Sequence, residues 1–253
     1  DLFSLDQLHH IQLTLTLEEW RAFELDSIRA NYSVRDARGR ASSLSSLSHS
    51  EVYRQADFAH LRPDGSEIAV IEKVGFKMQG NTSRQFPVDR DSIPNKPRRF
   101  SFSVKFDEEF DEDESVYACI DANGNPAAVE GFPCLNIVGQ NLPEFPDADK
   151  REFNDVEKLR FRYNRDDPSY QREVLAHQIL NTAGVPAARA AHAQVDLVIT
   201  GNADQTLFDS ALPQTFNLGI FTMMEQIDKP FLKLYYDENG YLFKVKAPGV
   251  LSE

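Results

Sequence analysis

Residues 74–107 read VGFKMQGNTSRQFPVDRDSIPNKPRRFSFSVKFD. The segment starts with alternating apolar and polar residues, breaks at residues 80–83 (GNTS), and ends with a second alternating run. Side chains of a strand point alternately to its two faces, so the apolar residues of that second run share one face. They are Phe100, Phe102, Val104 and Phe106. Lys105 lies on the opposite face, so the stretch predicts a sheet with one buried apolar face and a lysine on the other.

The break between the two predicted strands has the composition of a phosphate-binding loop. It contains small residues with accessible backbone N–H groups and a basic end at Arg84. A lysine on a strand that faces such a loop is one way to hold phosphates. The same pattern also fits a surface lysine on a half-exposed strand, and the residues alone leave both interpretations open.

Length and composition restrict the class of protein. The chain has 253 residues, 41% of them hydrophobic and 18 of them Phe, which is typical of a globular protein with a Phe-rich core. Its formal charge of −13 argues against nucleic-acid binding and against an anionic membrane surface. No apolar run approaches the roughly 20 residues that span a bilayer, so we expect no membrane span. Because it begins at Asp1 without a signal-like segment, we expect a trimmed or mature product.

Residues 107–155 predict an irregular acidic insertion. It begins with DEEFDEDE (107–114), seven acids in eight positions, which either supplies oxygen ligands to Ca²⁺ or is simply solvated. It also contains Cys119 and Cys134, whose spacing does not match a C-x-x-C pattern. A disulfide that closes the insertion would suit an exported protein, and two unbridged thiols fit equally well.

Alternation elsewhere in the chain predicts further strands. The predicted strands, including the two above, are 10–17, 51–61, 67–79, 98–107, 159–163, 190–200, 216–226 and 241–246. Short helices are expected after Thr16 and over 228–234, and polar loops over 29–50 and 201–214.

One longer helix is predicted over 168–183. Asp167-Pro168 is a favourable helix start, and Gly184 followed by Pro186 is a favourable stop. Its buried stripe is expected to consist of Val174, Leu175, Ile179 and Leu180. Arg172 could bond the Asp166-Asp167 corner.

Four segments, in order along the chain, resemble motifs of one known family. They are VGFKMQGNTSR (74–84), RRFSFSVKFD (98–107), LRFRYNRDDPSYQREVLAHQILNTAGVPAAR (159–189) and LGIFTMMEQIDKPFL (218–232). The family is the CotH family of spore-coat-type, bacterial protein kinases, and the resemblance covers most of residues 10–246.

The resemblance implies an α+β fold, namely a protein-kinase-like N-terminal lobe with a twisted, mainly antiparallel sheet and one main packed helix. It further implies a single domain over 1–253 that binds ATP with Mg²⁺ or Mn²⁺. Its partners would be a nucleotide and the Ser/Thr side chains of secreted or surface proteins.

The resemblance also implies roles for particular residues. The loop residues Gly80, Asn81, Ser83 and Arg84 would cover the phosphates of the nucleotide. Lys105 would contact the α- and β-phosphates, and Glu173 would pair with Lys105 and hold it in place. Glu225 would lie near the adenine. From the residues alone, Glu173 is equally well interpreted as an ordinary exposed acid on a helix, and Glu225 as an ordinary acid at the end of a strand.

The family's catalytic and metal-binding aspartates belong to a later block, and no matching pattern occurs before Glu253. We therefore expect the chain to lack the C-terminal catalytic lobe and assign it neither a catalytic residue nor a metal ligand. The alternative to an ATP-binding portion of a kinase is a non-catalytic, pseudokinase-like binding or coat domain.

Overall fold

The computed structural model describes residues 2–32, 53–79, 87–89, 96–110, 145–236 and 242. In these residues the strands are, in chain order, β1 (His9–Thr16), β2 (Arg54–Leu61), β3 (Glu67–Met78), β4 (Val88–Asp89), β5 (Lys96–Pro97), β6 (Phe102–Lys105), β7 (Lys158–Arg162), β8 (Ala190–Thr200), β9 (Thr206–Leu207), β10 (Ser210–Ala211) and β11 (Gln214–Glu225). The helices are α1 (Leu17–Tyr32), α2 (Arg172–Thr182) and α3 (Lys229–Tyr235). No described helix has the length and apolar character needed to cross a membrane.

Seven of these strands form a closed barrel in the order β1-β2-β3-β6-β7-β11-β8. Six of the neighbouring pairs are antiparallel, and the parallel pairing of β1 with β8 closes the ring. Closure leaves none of these seven strands at an open sheet edge. The barrel interior is therefore the core of the molecule.

The core is built from the apolar half of each alternating strand. In β8 every second residue from Ala191 to Ile199 is buried, and its polar neighbours face outward. Aromatic rings fill the space between strands: Phe102 stacks on Phe161 with 4.6 Å between ring centroids and meets Phe221 edge-on at 5.5 Å. Full burial of such side chains contributes about 2 kcal/mol each.

The predicted kinase-like, α+β N-terminal lobe is wrong. The structure is a mostly β, closed barrel of mixed strand direction, because β1 pairs in parallel with β8 from His9–Ala193 to Thr16–Thr200. Period-two alternation reports that a segment is a strand with one buried face. It carries no information on whether the first and last strands of a sheet meet, so the open sheet and the closed barrel share one sequence pattern.

The predicted main packed helix is also wrong, because most of its predicted buried stripe is exposed. Only Val174 of the predicted stripe is buried, whereas Leu175, Ile179 and Leu180 are 46%, 66% and 42% exposed. The barrel fills its core with its own strands, so α2 lies outside it and needs only one anchoring side chain. The helix also begins at Arg172 rather than at 168, because the Asp167 carboxylate accepts hydrogen bonds from the backbone N–H groups of Ser169 and Arg172 and holds a turn there.

Most predicted strands are confirmed to within a few residues, as are the short helix over 228–234 and the stop at Gly184, where φ is +76°. The strand predicted over 98–107 is regular only as β6, and the helix after Thr16 is longer than expected. The predicted polar loop 201–214 contains a small hairpin of β9 and β10. The predicted strand 241–246, both cysteines and most of the acidic insertion lie outside the described residues.

Candidate functional site

The outer surface of β3, β6 and β7 carries a group of basic side chains, here called the cationic face. Its members are Lys77, Lys105, Lys158, Arg160 and Arg162. In the pairing register, Lys105 lies opposite both Gly75 and Lys158, and Ser103 lies opposite both Lys77 and Arg160. The cations alternate with buried residues along their strands, so the pleat that builds the core also collects the charges on one outer face.

Tyr53 lies among three lysines of the cationic face. The ammonium nitrogens of Lys77, Lys105 and Lys158 lie 4.4, 5.6 and 5.3 Å from the centroid of its ring. Lys158 also donates a hydrogen bond of 2.5 Å to the Tyr53 hydroxyl. A ring face attracts cations within about 6 Å, so Tyr53 lets three like charges share a small area.

Lys105 forms an ion pair with Glu108, with 3.1 Å between Nζ and Oε2. The Glu108 side chain is only 2% exposed. Gly75 makes this burial possible, because a Cβ at that position would lie 2.8 Å from Glu108 Cβ and from Tyr53 Cδ1. Lys105 is thus fixed at the surface by an acid from its own segment.

The two arginines of the cationic face, Arg160 and Arg162, each donate a hydrogen bond to a neighbouring side chain. Arg160 donates from Nε to Gln79 Oε1 at 2.9 Å, and Arg162 donates from Nη1 to Glu173 Oε1. Burial and the neighbouring Arg162 charge lower the pKa of Arg160, while Glu173 raises it. Because an arginine stays protonated, a lowered pKa means that its charge is poorly compensated and favours an anion beside it.

The predicted contact between Lys105 and Glu173 is not formed. Both residues are described, and each is paired elsewhere: Lys105 with Glu108, and Glu173 with Arg162. Both lie on the outside of the barrel, with cations of β7 on the same face. The assignment of Lys105 and Glu173 to nucleotide binding stays a prediction.

Glu225 is buried in an ion pair with Arg189. Its side chain is 3% exposed, and its two oxygens accept hydrogen bonds from the Arg189 backbone N–H at 2.6 Å and from Nε at 2.9 Å. These bonds tie the end of β11 to the start of β8. They give Glu225 a structural role, and its predicted place near an adenine stays a prediction.

The predicted loop residues Gly80, Asn81, Ser83 and Arg84 lie outside the described residues. Arg172 contacts the Asp166-Asp167 corner, as the structural interpretation predicted: its Nε lies 3.7 Å from Asp167 Oδ1 before the start of α2. Among the described residues no group of three or more His, Cys, Asp or Glu side chains could hold a metal ion. Residues 111–114 of the acidic run are not described, so the calcium alternative stays open.

Sequence reasoning missed Tyr53, Lys77, Glu108 and the basic residues of β7. One signal was available: in KLRFRY (158–163) the cations occupy every second position, so Lys158, Arg160 and Arg162 must share a face. Tyr53 and Glu108 could not have been found this way, because they reach the face from segments outside its strands.

The comparison with family models bears on the same strands. Residues 136–252 match the model of the family described as CotH kinase protein. This match confirms the CotH resemblance over residues 136–252, which contain β7, α2, β8 and β11. The motifs at 74–84 and 98–107 lie outside the matched residues. A search of curated proteins gave no match.

Proposed function

We propose that the cationic face binds the phosphates of ATP, and that the chain acts as the ATP-binding portion of a CotH-type kinase. The observation that carries the proposal is the concentration of five basic side chains on one outer face of a protein whose net charge is −13. The family match supports the same reaction class. In this proposal the phosphoryl acceptor is a Ser or Thr hydroxyl of an exported or surface protein.

The residues of the face suit a polyphosphate. Lysines act as adjustable point charges, and the planar guanidinium groups of Arg160 and Arg162 can bond two phosphate oxygens at once. Gln79 and Glu173 fix the orientation of those guanidinium groups before a ligand arrives. Bound ATP would supply the phosphoryl group, and the role of the face would be to bind and orient its phosphates.

Mg²⁺ or Mn²⁺, which the family resemblance implies, fits the described residues less well. Glu108, the acid nearest Lys105, is nearly buried in its ion pair, and the described part of the chain contains no cluster of metal-ligating side chains. We therefore derive no step through a metal ion.

Titration calorimetry with ATP tests the proposal. Lys158→Ala and Arg160→Ala should each weaken ATP binding about tenfold or more, because a charge-assisted hydrogen bond contributes roughly 1.5–3 kcal/mol. Lys233→Ala, which removes an exposed lysine of α3, is the matched control and should leave the affinity unchanged. Equal ATP affinities in the parent protein and all three variants would contradict the proposal.

A second candidate is a non-catalytic, pseudokinase-like binding or coat domain. One observation favours it: Lys105 and Glu173, the ion pair expected at the nucleotide-binding site, are each paired with another residue. Transfer of radiolabelled phosphate from ATP to a serine-containing acceptor protein separates the two candidates. ATP binding without transfer by the full-length protein would favour the binding domain.

We also propose that the protein is exported to the cell surface, the periplasm or a spore coat. The support is the CotH match alone. Immunoblots of cytoplasmic and surface fractions of the source cells test this, and recovery only in the cytoplasm would contradict it.

A further inference from the structure

A second basic surface lies at the end of the barrel reached by residues 96–99. It is a cleft of about 680 Å³ between β5, the corner after β7 and the bulge in β11, here called the arginine cleft. Its charged lining residues are Lys96, Arg98, Arg99, Arg165 and Asp89. The arginine cleft adjoins the cationic face at the end of β7, where Tyr163 of the cleft follows Arg162 of the face, but the two surfaces share no residue.

The charge of the arginine cleft opposes that of the whole protein. Four cations and one acid line it, although the net charge of the chain is −13. Asp89 is engaged by Arg98, with 3.0 Å between its Oδ1 and Arg98 Nη2. Within the described part of the chain, Lys96, Arg99 and Arg165 have no ion pair. A cleft of one sign focuses the field, so it attracts oxyanions despite the acidic surface around it.

Arg99 is held in a fixed orientation at the cleft wall. Its Nη1 donates to the Tyr170 hydroxyl at 2.6 Å, its Nη2 donates to the Ile220 carbonyl, and its guanidinium carbon lies 5.2 Å from the centre of the Tyr170 ring. Its Nε is buried and has no acceptor among the described residues. The side chain lies against Gly219, where φ is +88° and an added Cβ would sit 3.5 Å from Arg99 Cζ. A buried donor without an acceptor is uncommon in native proteins, so the charge of Arg99 is incompletely compensated at the cleft wall.

We propose that the arginine cleft binds an extended peptide segment through its side-chain oxyanions, the carboxylates of Asp or Glu or the phosphate of phosphoserine. Clusters of arginine recognise acidic and phosphorylated motifs in this way. The volume is far greater than a single oxyanion needs and lies within the range of ligand-binding clefts. The half-buried Tyr170 ring supplies apolar contact area. Asn164 and Asn217 use their Nδ2 groups on Thr222 and Asp196, which leaves their side-chain oxygens as acceptors for peptide N–H groups. The inference does not depend on ATP binding at the cationic face.

Fluorescence anisotropy with labelled peptides of one length tests the proposal. The probes are a phosphoserine-containing peptide, the same peptide with glutamate at those positions, and the same peptide with unmodified serine. The first two should bind and the serine peptide should not, and added salt should weaken binding because exposed charges are screened. Binding of the serine peptide with equal affinity, or binding of none, would overturn the proposal.

Variants locate the binding site. Lys96→Gln with Arg165→Gln should weaken peptide binding about tenfold or more, and both side chains are exposed, so the melting temperature should not change. Arg62→Gln with Lys233→Gln removes the same charge elsewhere and should leave binding unchanged. Equal weakening in both double variants would mean attraction by overall charge alone. Displacement of the peptide by ATP as effectively as by unlabelled phosphoserine peptide would mean a nucleotide site. Either outcome contradicts the proposal.

Discussion

At the scale of single residues, Gly75 decides how Lys105 is presented. The missing side chain leaves room for Tyr53 and Glu108, and an alanine Cβ would lie 2.8 Å from atoms of both. Gly75→Ala should therefore displace the ring and the acid, cost about 1–3 kcal/mol of unfolding free energy, and lower ATP affinity. Urea denaturation and calorimetry measure the two effects.

The control for that prediction is Gly65→Ala in the turn between β2 and β3. Gly65 has φ of +82° and no atom within 4 Å of a built Cβ, so alanine strains the backbone without touching the cationic face. It should cost roughly 1–2 kcal/mol and leave ATP affinity unchanged. An unchanged ATP affinity in both variants would show that Gly75 has no influence on the face.

The pair of Arg189 with Glu225 provides a second prediction at this scale. Arg189→Met removes the partner of a carboxylate that is 3% exposed, and the buried charge is then poorly compensated. Because Arg189 itself is 30% exposed and water can partly replace it, we expect a loss of roughly 2–3 kcal/mol, below that of a fully buried pair. ATP affinity of the folded variant should stay the same. A stable variant with impaired ATP binding would instead support the predicted place of Glu225 near the adenine.

At the scale of elements, α2 is anchored by one residue. Val174→Ala should cost about 2 kcal/mol, because Val174 is 2% exposed and the truncation leaves a small cavity. Ile179→Ala, at 66% exposure on the same helix, should change stability by less than about 0.5 kcal/mol. Chemical denaturation of both variants measures this difference. Equal losses of unfolding free energy in the two variants would contradict the anchoring of α2 by Val174 alone.

The helix also shows why sequence reasoning succeeded in part. Gly184 and Pro186 end α2 through local backbone geometry, and local geometry is what a sequence window contains. The buried face of α2 depends on what packs against it, and the barrel leaves little for it to cover. In β6, alternation correctly assigned Phe102 and Val104 to the buried side and Lys105 to the other. The ion partners of Lys105 and Glu173 depend on three-dimensional neighbours that no local pattern encodes.

At the scale of the whole molecule, closure of the barrel is a long-range property. β1 ends at Thr16 and β8 begins at Ala190, yet the two strands pair over the full length of β1. In the sequence, the alternation of apolar and polar residues in both segments predicts ordinary half-buried strands. The CotH resemblance was predictable because it rests on motifs, whereas the architecture that carries those motifs had to be observed.

Closure also buries a pair of histidines beside the parallel seam. His9 and His60 are 1% and 7% exposed, and 3.3 Å separates His9 Nδ1 from His60 Nε2. His9 Nε2 lies 3.1 Å from the Ser4 carbonyl oxygen, and Phe153 packs edge-on against His60. Burial first, and then the neighbouring His9, lowers the pKa of His60 from 6.5 to about 4. Burial also lowers the pKa of His9.

This pair makes global stability depend on pH. Between about pH 6.5 and 4 the unfolded chain binds a proton at His60 and the folded barrel does not, so stability falls as the pH falls. At pH 4 this difference in proton binding at His60 has lowered the free energy of unfolding by about 3 kcal/mol. His60→Gln keeps a hydrogen-bonding side chain beside His9 and removes this titration, so the stability difference between variant and parent should shift in favour of the variant as the pH is lowered. Urea denaturation from pH 7.5 to 4 measures it, and a difference that stays constant across this range would contradict the assignment of the acid sensitivity to His60.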